Sequence, residues 1–270
     1  MTAQFDFYIF KPQKMLADHV QGIWSACTPQ TNTSRLKQWL HCDGGSGILF
    51  NLGGEIQIGD ITFKRGVIFL PVTKHAQPVY FPPGSLLVGV RFHPAIGRQF
   101  LGDNHQTEHQ AIQIATSDDD TLSLSLVYQH LLTIKGKYAR TVLLYRWISQ
   151  LLFDDEVREP FSLPIDLKQA LANIKQKSED SVKPTTLSLS QRQLERHFQK
   201  WMNITPKYYQ RIIRVNKTLQ ALKLNPDAEL VDLAFQYGFT DQAHMTREFQ
   251  TIAKITPKQY SKKVKATKSI

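Results

Sequence analysis

LERHFQKWMNITPKYY (Leu194–Tyr209) returns 51 residues later as MTREFQTIAKITPKQY (Met245–Tyr260). Eight of the 16 positions are identical, among them Ile204-Thr205-Pro206-Lys207 against Ile255-Thr256-Pro257-Lys258. Self-similarity at one offset marks a repeated structural unit. The last third of the chain therefore reads as two copies of one helical element, and everything from Ile165 onward carries a helical pattern.

The second copy shows what the unit is. Asn225-Pro226-Asp227 opens a short helix over Glu229–Tyr237, with Leu230, Leu233, Ala234 and Tyr237 spaced on one face. Gly238 follows where a chain leaving a helix commonly needs positive φ. Thr240 or Asp241 then caps a second helix. Two helices joined by a short Gly-containing turn are the helix-turn-helix plan. In the second helix Met245, Phe249 and Ile252 share an inward stripe at 100° per residue, which turns Ala243 and Arg247 outward with His244, Thr246 and Gln250 beside them. In the first copy Leu194, Phe198 and Trp201 form the inward stripe. Arg192 and Arg196 point outward, flanked by Gln193, Glu195 and Gln199. Short, polar, guanidinium-bearing faces near a helix N-terminus are what a recognition helix presents to base edges in the major groove. The alternative is an ordinary solvated helix face.

Charge bears on that choice. The chain of 270 residues has 33 Lys+Arg against 23 Asp+Glu, a net charge of +10. Counted along the sequence, residues 161–270 hold 19 basic and 9 acidic residues, which is the whole excess. A localised positive block is the footprint of polyanion binding, most often nucleic acid. Composition (41% hydrophobic, 14 Gly, 13 Pro) is that of a globular protein, and the length suits two domains. No apolar run approaches the ~20 residues of a membrane span, and the first residues lack a secretory pattern. The expectation is a cytoplasmic protein without a membrane partner. Cys27 and Cys42 cannot make an all-cysteine zinc site and are expected to stay unpaired.

The first ~100 residues read as β. Short strands are expected at Ile48–Leu52, Glu55–Ile58, Ile61–Lys64, Val67–Leu70, Val79–Phe81 and Leu86–Phe92, punctuated by Gly53-Gly54, Gly66, Pro71 and Pro82-Pro83-Gly84. That spacing suggests a small barrel or sandwich. After Pro94 the pattern turns helical. Tyr138–Phe153 spreads Val142, Leu143, Tyr145, Trp147, Ile148, Leu151 and Leu152 around much of a helix, which either meets another subunit or is sandwiched within its own domain. Asp154–Pro164 reads as a linker.

With those motifs in view, residues 165–262 resemble the DNA-binding module of AraC/XylS-type transcription regulators. The resemblance rests on Ser190-Gln191-Arg192-Gln193-Leu194-Glu195-Arg196-His197-Phe198 and on Asp232-Leu233-Ala234-Phe235-Gln236-Tyr237-Gly238-Phe239-Thr240-Asp241-Gln242-Ala243-His244. It runs on to Phe249 and Thr256-Pro257-Lys258-Gln259-Tyr260. It implies two helix-turn-helix units joined by a long helix over Pro206–Leu224, entering successive major-groove faces of double-stranded DNA. By position it implies base-reading residues Arg192, Gln193 and Arg196 in the first unit and Gln242, Ala243, His244 and Arg247 in the second. Arg suits the O6/N7 edge of guanine and Ala a thymine methyl, so Arg247 is expected to do most of the direct reading in its unit. One departure stands out. Aligning Ser190 with Thr240, one residue off the 51-residue offset, puts Pro184 in the slot of Ala234, with Lys183 beside it and Ser188 in the place of Gly238. The scaffold helix before Ser190 is therefore expected to start late, near Lys183–Thr186, or be rebuilt.

In the N-terminal half, Trp24, His41-Cys42-Asp43-Gly44 leading into Ile48–Gly53, and Gly89-Val90-Arg91-Phe92-His93-Pro94 resemble the cupin-like regulatory domain of some members. Such domains bind a small effector, mediate a homodimer, or both; the resemblance also implies RNA polymerase as a partner, with an activator's or a repressor's role left open. The resulting expectation is an α+β chain. A β-barrel or cupin-like domain with C-terminal helices spans 1–155, a linker 156–164 and an all-α double helix-turn-helix domain 165–270. It is a regulator with no catalytic residues, metal or cofactor. The competing reading is a cupin-type metal-dependent enzyme tethered to DNA by its basic tail, with His41, Asp43, His75 and His93 as the ligand candidates. No His-x-His pair is present, and His105, Glu108 and His109 lack the His-Glu-x-x-His order. A third reading has the N-terminal half dimerising without sensing anything.

Overall fold

The computed structural model describes residues 5–31, 34–101, 110–112, 123–153, 163–176 and 190–268. They divide into two compact units. The first comprises residues up to Leu40, Gly45–Val72 and Gln77–Leu163; the second comprises Pro164 onward together with His41–Gly44 and Thr73–Ala76.

Among the described residues the first unit is built on ten strands: β1 (Asp6–Phe10), β2 (Val20–Cys27), β3 (Leu36–Leu40), β4 (Gly47–Asn51), β5 (Ile56–Ile58), β6 (Ile61–Phe63), β7 (Gly66–Leu70), β8 (Gln77–Phe81), β9 (Leu86–Phe92) and β10 (Gln110–Ile112). They form a six-stranded sheet in the order β1-β2-β9-β4-β7-β10 and a four-stranded sheet in the order β3-β8-β5-β6. All their pairings are antiparallel. The six strands expected between residues 48 and 92 are present, but among the described residues they do not close into a barrel. The larger sheet stops at β1 and β10 and the smaller at β3 and β6, so the strands form two open sheets.

The large sheet is buried on both faces, which is why its central strand β4 (GILFN) is buried at every position instead of alternating. One face packs Leu49, Ile68 and Leu87 with Ile56, Ile58, Val79 and Phe81 of the small sheet. The other packs Ile48, Phe50, Val88 and Val90 beneath two helices, α2 (Leu124–Thr133) and α3 (Lys137–Phe153), which follow a short α1 (Arg98–Leu101). Gly89 is required where it stands: a Cβ there would lie 2.5 Å from the Trp24 ring that crosses the strand. In α3, Thr141, Leu144, Trp147, Ile148 and Leu151 face this core. Tyr138, Val142 and Tyr145 remain exposed on its outer side.

The second unit is helical: α4 (Ile165–Gln176), α5 (Gln191–Met202), α6 (Pro206–Leu224), α7 (Leu230–Gln236), α8 (Gln242–Ile252) and α9 (Pro257–Lys268). The long helix α6 packs against α4, α5, α8 and α9. It buries Tyr209, Ile212, Val215, Leu219 and Leu222. Lys217 of α6 donates to the carbonyl of Lys175 at the end of α4, satisfying an acceptor that a helix C-terminus leaves open. Among the described residues no helix is long and apolar enough to cross a membrane. The linker over 154–162, the segment with Lys183, Pro184 and Ser188, and His105, Glu108 and His109 lie outside the described residues.

Candidate nucleic-acid interface

The repeated segment folds the same way twice, and the shared Ile, Thr and Pro of the joint each have a mechanical task. Helices α5 and α8 stop at equivalent points, where Asn203 (φ 54) and Lys254 (φ 57) turn left-handed. Buried Ile204 follows the first stop and half-buried Ile255 the second. Thr205 and Thr256 then cap the next helices, their hydroxyls accepting from Tyr208 N at 3.1 Å and Gln259 N at 3.2 Å. Pro206 and Pro257 occupy the first helical position, where a missing N–H costs nothing. The Ile-Thr-Pro-Lys run is therefore the joint by which each unit hands over to the helix behind it.

The starts of α5 and α8 match as well. Ser190 Oγ accepts from Gln193 N at 3.3 Å, and Gln193 Oε1 accepts from Ser190 N at 2.9 Å, a reciprocal capping box. In the second copy Asp241 Oδ1 accepts from His244 N at 2.6 Å, and His244 Nδ1 accepts from Thr240 N at 3.1 Å. Gln193 and His244 stand at the same helical position, and each side chain turns back to hold the helix start. For His244 this fixes the tautomer, since an accepting Nδ1 leaves the proton on Nε2.

Inside the second unit the turn follows its chemistry. Gly238 has φ 69, Gly238 N donates to Phe235 O at 3.1 Å, and Phe239 N donates to Ala234 O at 2.9 Å. This is the Schellman ending. Phe239 is buried, with the Arg214 guanidinium over its ring at 5.3 Å and the His244 ring edge-on at 5.8 Å. Helix α8 buries Met245, Phe249 and Ile252 as its periodicity requires. Those three side chains contribute roughly 5–9 kcal/mol of burial. In α5 the inward stripe is Phe198 with Met202; Leu194 and Trp201 are only half-buried.

A further contact sets the rotation of α8 about its axis. Glu248 is buried on α8 and takes two bonds from Arg211 of α6, Nε to Oε2 at 2.8 Å and Nη2 to Oε1 at 2.9 Å. The Arg211 guanidinium also lies 4.7 Å from the centre of the Tyr208 ring. The bond to Glu248 holds the Arg211 pKa above its ordinary value, while burial raises that of the Tyr208 phenol. His244 Nε2 approaches the same carboxylate at 4.0 Å. Glu248 escaped the sequence reading. Its signal there was an acid one residue from Phe249 and three from Met245, on the edge of the buried stripe.

With one side of each helix anchored, the opposite side is fixed. Arg192 and Arg196 are exposed one turn apart on α5, and Ala243 and Arg247 are exposed at the equivalent places on α8. Among the described residues none of these three arginines is in an ion pair. Gln242 is exposed at the first position of α8. The expected site residues thus fall into two groups. Arg192, Arg196, Gln242, Ala243 and Arg247 face outward, while Gln193 and His244 are engaged in capping. The metal-ligand candidates are not brought together. Among the described residues no three His, Cys, Asp or Glu side chains form a metal-holding group, and His93 Nε2 lies 3.0 Å from the carbonyl of Ala17.

Comparison with known proteins agrees on the C-terminal unit. Residues 185–263 match the model of a helix-turn-helix domain. No curated protein matches the chain in sequence. Among solved structures, an apo ToxT variant of Vibrio cholerae strain SCE256 is 12% identical, covering 85% of this chain and 97% of its own, with a TM-score of 0.45. ToxT of Vibrio cholerae O395 is likewise 12% identical, covering 97% of this chain and 95% of its own, with a TM-score of 0.44. The cupin domain of Cnp3 from Schizosaccharomyces pombe is 12% identical over 37% of this chain and 76% of its own, with a TM-score of 0.25. The motif blocks, the paired caps and stops and the family match thus converge on one assignment: residues 185–263 match a helix-turn-helix domain.

Proposed function

We propose that this chain is a sequence-specific DNA-binding transcription regulator that reads two successive major-groove segments of a duplex with α5 and α8. The observation that carries the reading is the equivalence of the two helices. Each is capped at its start and followed by a left-handed residue at equivalent positions, each buries a phenylalanine (Phe198, Phe249) on its inner side, and each leaves an exposed arginine (Arg196, Arg247) at the same helical position.

The division of labour follows from side-chain chemistry. Arg192, Arg196 and Arg247 each offer a guanidinium to the guanine O6/N7 edge, and Ala243 offers a methyl to thymine. Gln242 sits at the start of α8 with its amide exposed to a neighbouring base or phosphate. Gln193 and His244 keep the helix starts rigid, so the arginines one turn on are aimed before DNA arrives. Backbone N–H groups at the capped N-termini and the surrounding lysines take phosphates, which position the protein without reading sequence. The N-terminal unit, with the linker after it, is assigned the regulatory part: dimerisation, response to a small effector, or both. RNA polymerase is the partner through which an activator of this type would act. The function requires no catalytic step, metal or cofactor.

The test is equilibrium binding to promoter DNA over a salt series. The proposal expects log K to fall linearly with log salt, with a slope of roughly −0.9 per phosphate contacted. Binding that ignores salt would refute it.

A further inference from the structure

Gln199 and Gln250 are the same residue at the same place in the two copies, and the fold gives that place no packing task. Phe198 and Phe249 beside them are buried, whereas both glutamines are exposed. Their place around the helix aligns them with the outward face. At about 100° per residue, Gln250 falls roughly 20° from Ala243 and roughly 60° from Arg247 around the axis of α8. Gln199 stands in the same relation to Arg192 and Arg196 on α5. Each outward face therefore runs one turn past its shared arginine and ends in an uncharged amide. Along the axis the amide lies about 4.5 Å beyond the arginine, on the order of the ~3.4 Å step between successive bases of one strand. The Gln199 amide is steadied by its own helix: Nε2 donates to Oδ1 of Asn203, the left-handed residue that ends α5. That bond takes one N–H. Among the described residues Oε1 and the second N–H of the Gln199 amide have no partner.

From this geometry we infer that Gln199 and Gln250 are specificity-determining residues, each taking the N6/N7 edge of an adenine in the base pair next to the one read by the arginine a turn before. The inference rests on the proposed reading of DNA by α5 and α8 and deepens it. A glutamine amide carries a donor and an acceptor side by side. Adenine presents an N7 acceptor beside an N6 donor in the major groove, so the two meet through a pair of bonds. Guanine offers two acceptors at the same edge, which suits a guanidinium and leaves the amide oxygen without a donor. A phosphate offers acceptors alone, so it too would use only one side of the amide. Phosphates are served better by the charge of Lys207 and Lys258, which are likewise shared by the two copies and exposed. In the second unit Ala243 contributes only a methyl, so Arg247 and Gln250 carry the hydrogen-bonded reading. Each half of the operator is then expected to hold an A·T pair beside a G·C pair.

The experiment is selection of bound duplexes from a random library by the full chain, comparing wild type with Gln199→Ala, Gln250→Ala and Gln250→Glu. Both positions are exposed, so the variants should keep the circular dichroism and melting of wild type. Wild type should enrich the A·T pair beside the G·C pair in each half. Each alanine variant should lower the preference at that A·T pair about five-fold or more, the lower end for one bidentate base contact, and only in its own half. Gln250→Glu should move the preference there from adenine to cytosine, whose N4 amine donates to a carboxylate. A glutamine that merely supports the helix or touches phosphate would, when replaced, lower affinity for all sequences alike, and that result overturns the inference. A motif that stays sensitive to Arg196→Ala and Arg247→Ala but keeps both adenine preferences in the glutamine variants removes this inference alone. A wild type that enriches no motif removes the proposed function and this inference with it.

Discussion

Replacing Glu248 by alanine should destabilise the helical unit by about 2 kcal/mol, a figure that follows from the geometry of the Arg211 pair. The two bonds at 2.8 and 2.9 Å are charge-assisted and bidentate. Breaking a fully buried pair of this kind costs about 3–5 kcal/mol, because the surviving charge is stranded. Here the Glu248 side chain is 10% exposed but that of Arg211 is 30% exposed. Arg211 therefore regains part of its hydration and keeps the Tyr208 ring, which lowers the loss toward ~2 kcal/mol. For a unit of this size that is a fall in Tm of roughly 10 °C. Glu248→Gln, which keeps one acceptor, should lose about half as much. The assay is scanning calorimetry of the full chain, following the transition that coincides with loss of helical circular dichroism, since the two units can melt separately. The reasoning is refuted if Glu248→Ala melts within about 2 °C of wild type, which is the behaviour of an exposed ion pair. It is refuted equally if Arg211→Met combined with Glu248→Leu is as damaging as Glu248→Ala alone. A compact apolar pair should recover most of the loss, because no charge is left unpaired.

Loss of either helix cap, by Asp241→Ala or Ser190→Ala, should cost about 1 kcal/mol of stability each and weaken DNA binding beyond that, because the reading face is aimed from the capped end; calorimetry and equilibrium binding check the two effects. Lys254→Gly should stabilise by about 1 kcal/mol, since a side chain is held there at φ 57, and a lower melting temperature would contradict it. Gly238→Ala should act in the opposite sense by about 1 kcal/mol. Its φ of 69 supplies the strain and no neighbouring atom lies within 4 Å of the added Cβ, so a much larger loss would mean a clash that this geometry excludes.

Much of the helical unit was legible because its signals are local. The caps, the Gly turn and the 3.6-residue stripe of Met245, Phe249 and Ile252 depend on residues within one or two turns of each other. The capping role of Gln193 has a local signal too, since Ser190-x-x-Gln193 is a capping-box spacing. The Arg211–Glu248 pair joins two helices 37 positions apart, and no periodicity links such residues. Lys254 in a left-handed conformation was hidden for a different reason: lysine has no preference for it, and the tertiary fold imposes it. In the first unit the strands flanked by Gly and Pro were recognisable, whereas β1 and β2 were not. Phe7–Phe10 is continuously apolar, and Gly22 with the register shift between Val20 and Gly22 interrupts the second. The open sheets in place of a barrel follow from which edges find partners, information that no single strand carries.

The central claim is that two equivalent helices read DNA, and it is tested most directly by selecting bound duplexes from a random library with the wild-type chain and with the Arg196→Ala and Arg247→Ala variants. The account predicts a bipartite motif. Each variant should flatten the preference in one half only, at a cost of about 1–3 kcal/mol on the wild-type site. A library that enriches no motif, or a motif that both variants leave intact, would contradict it.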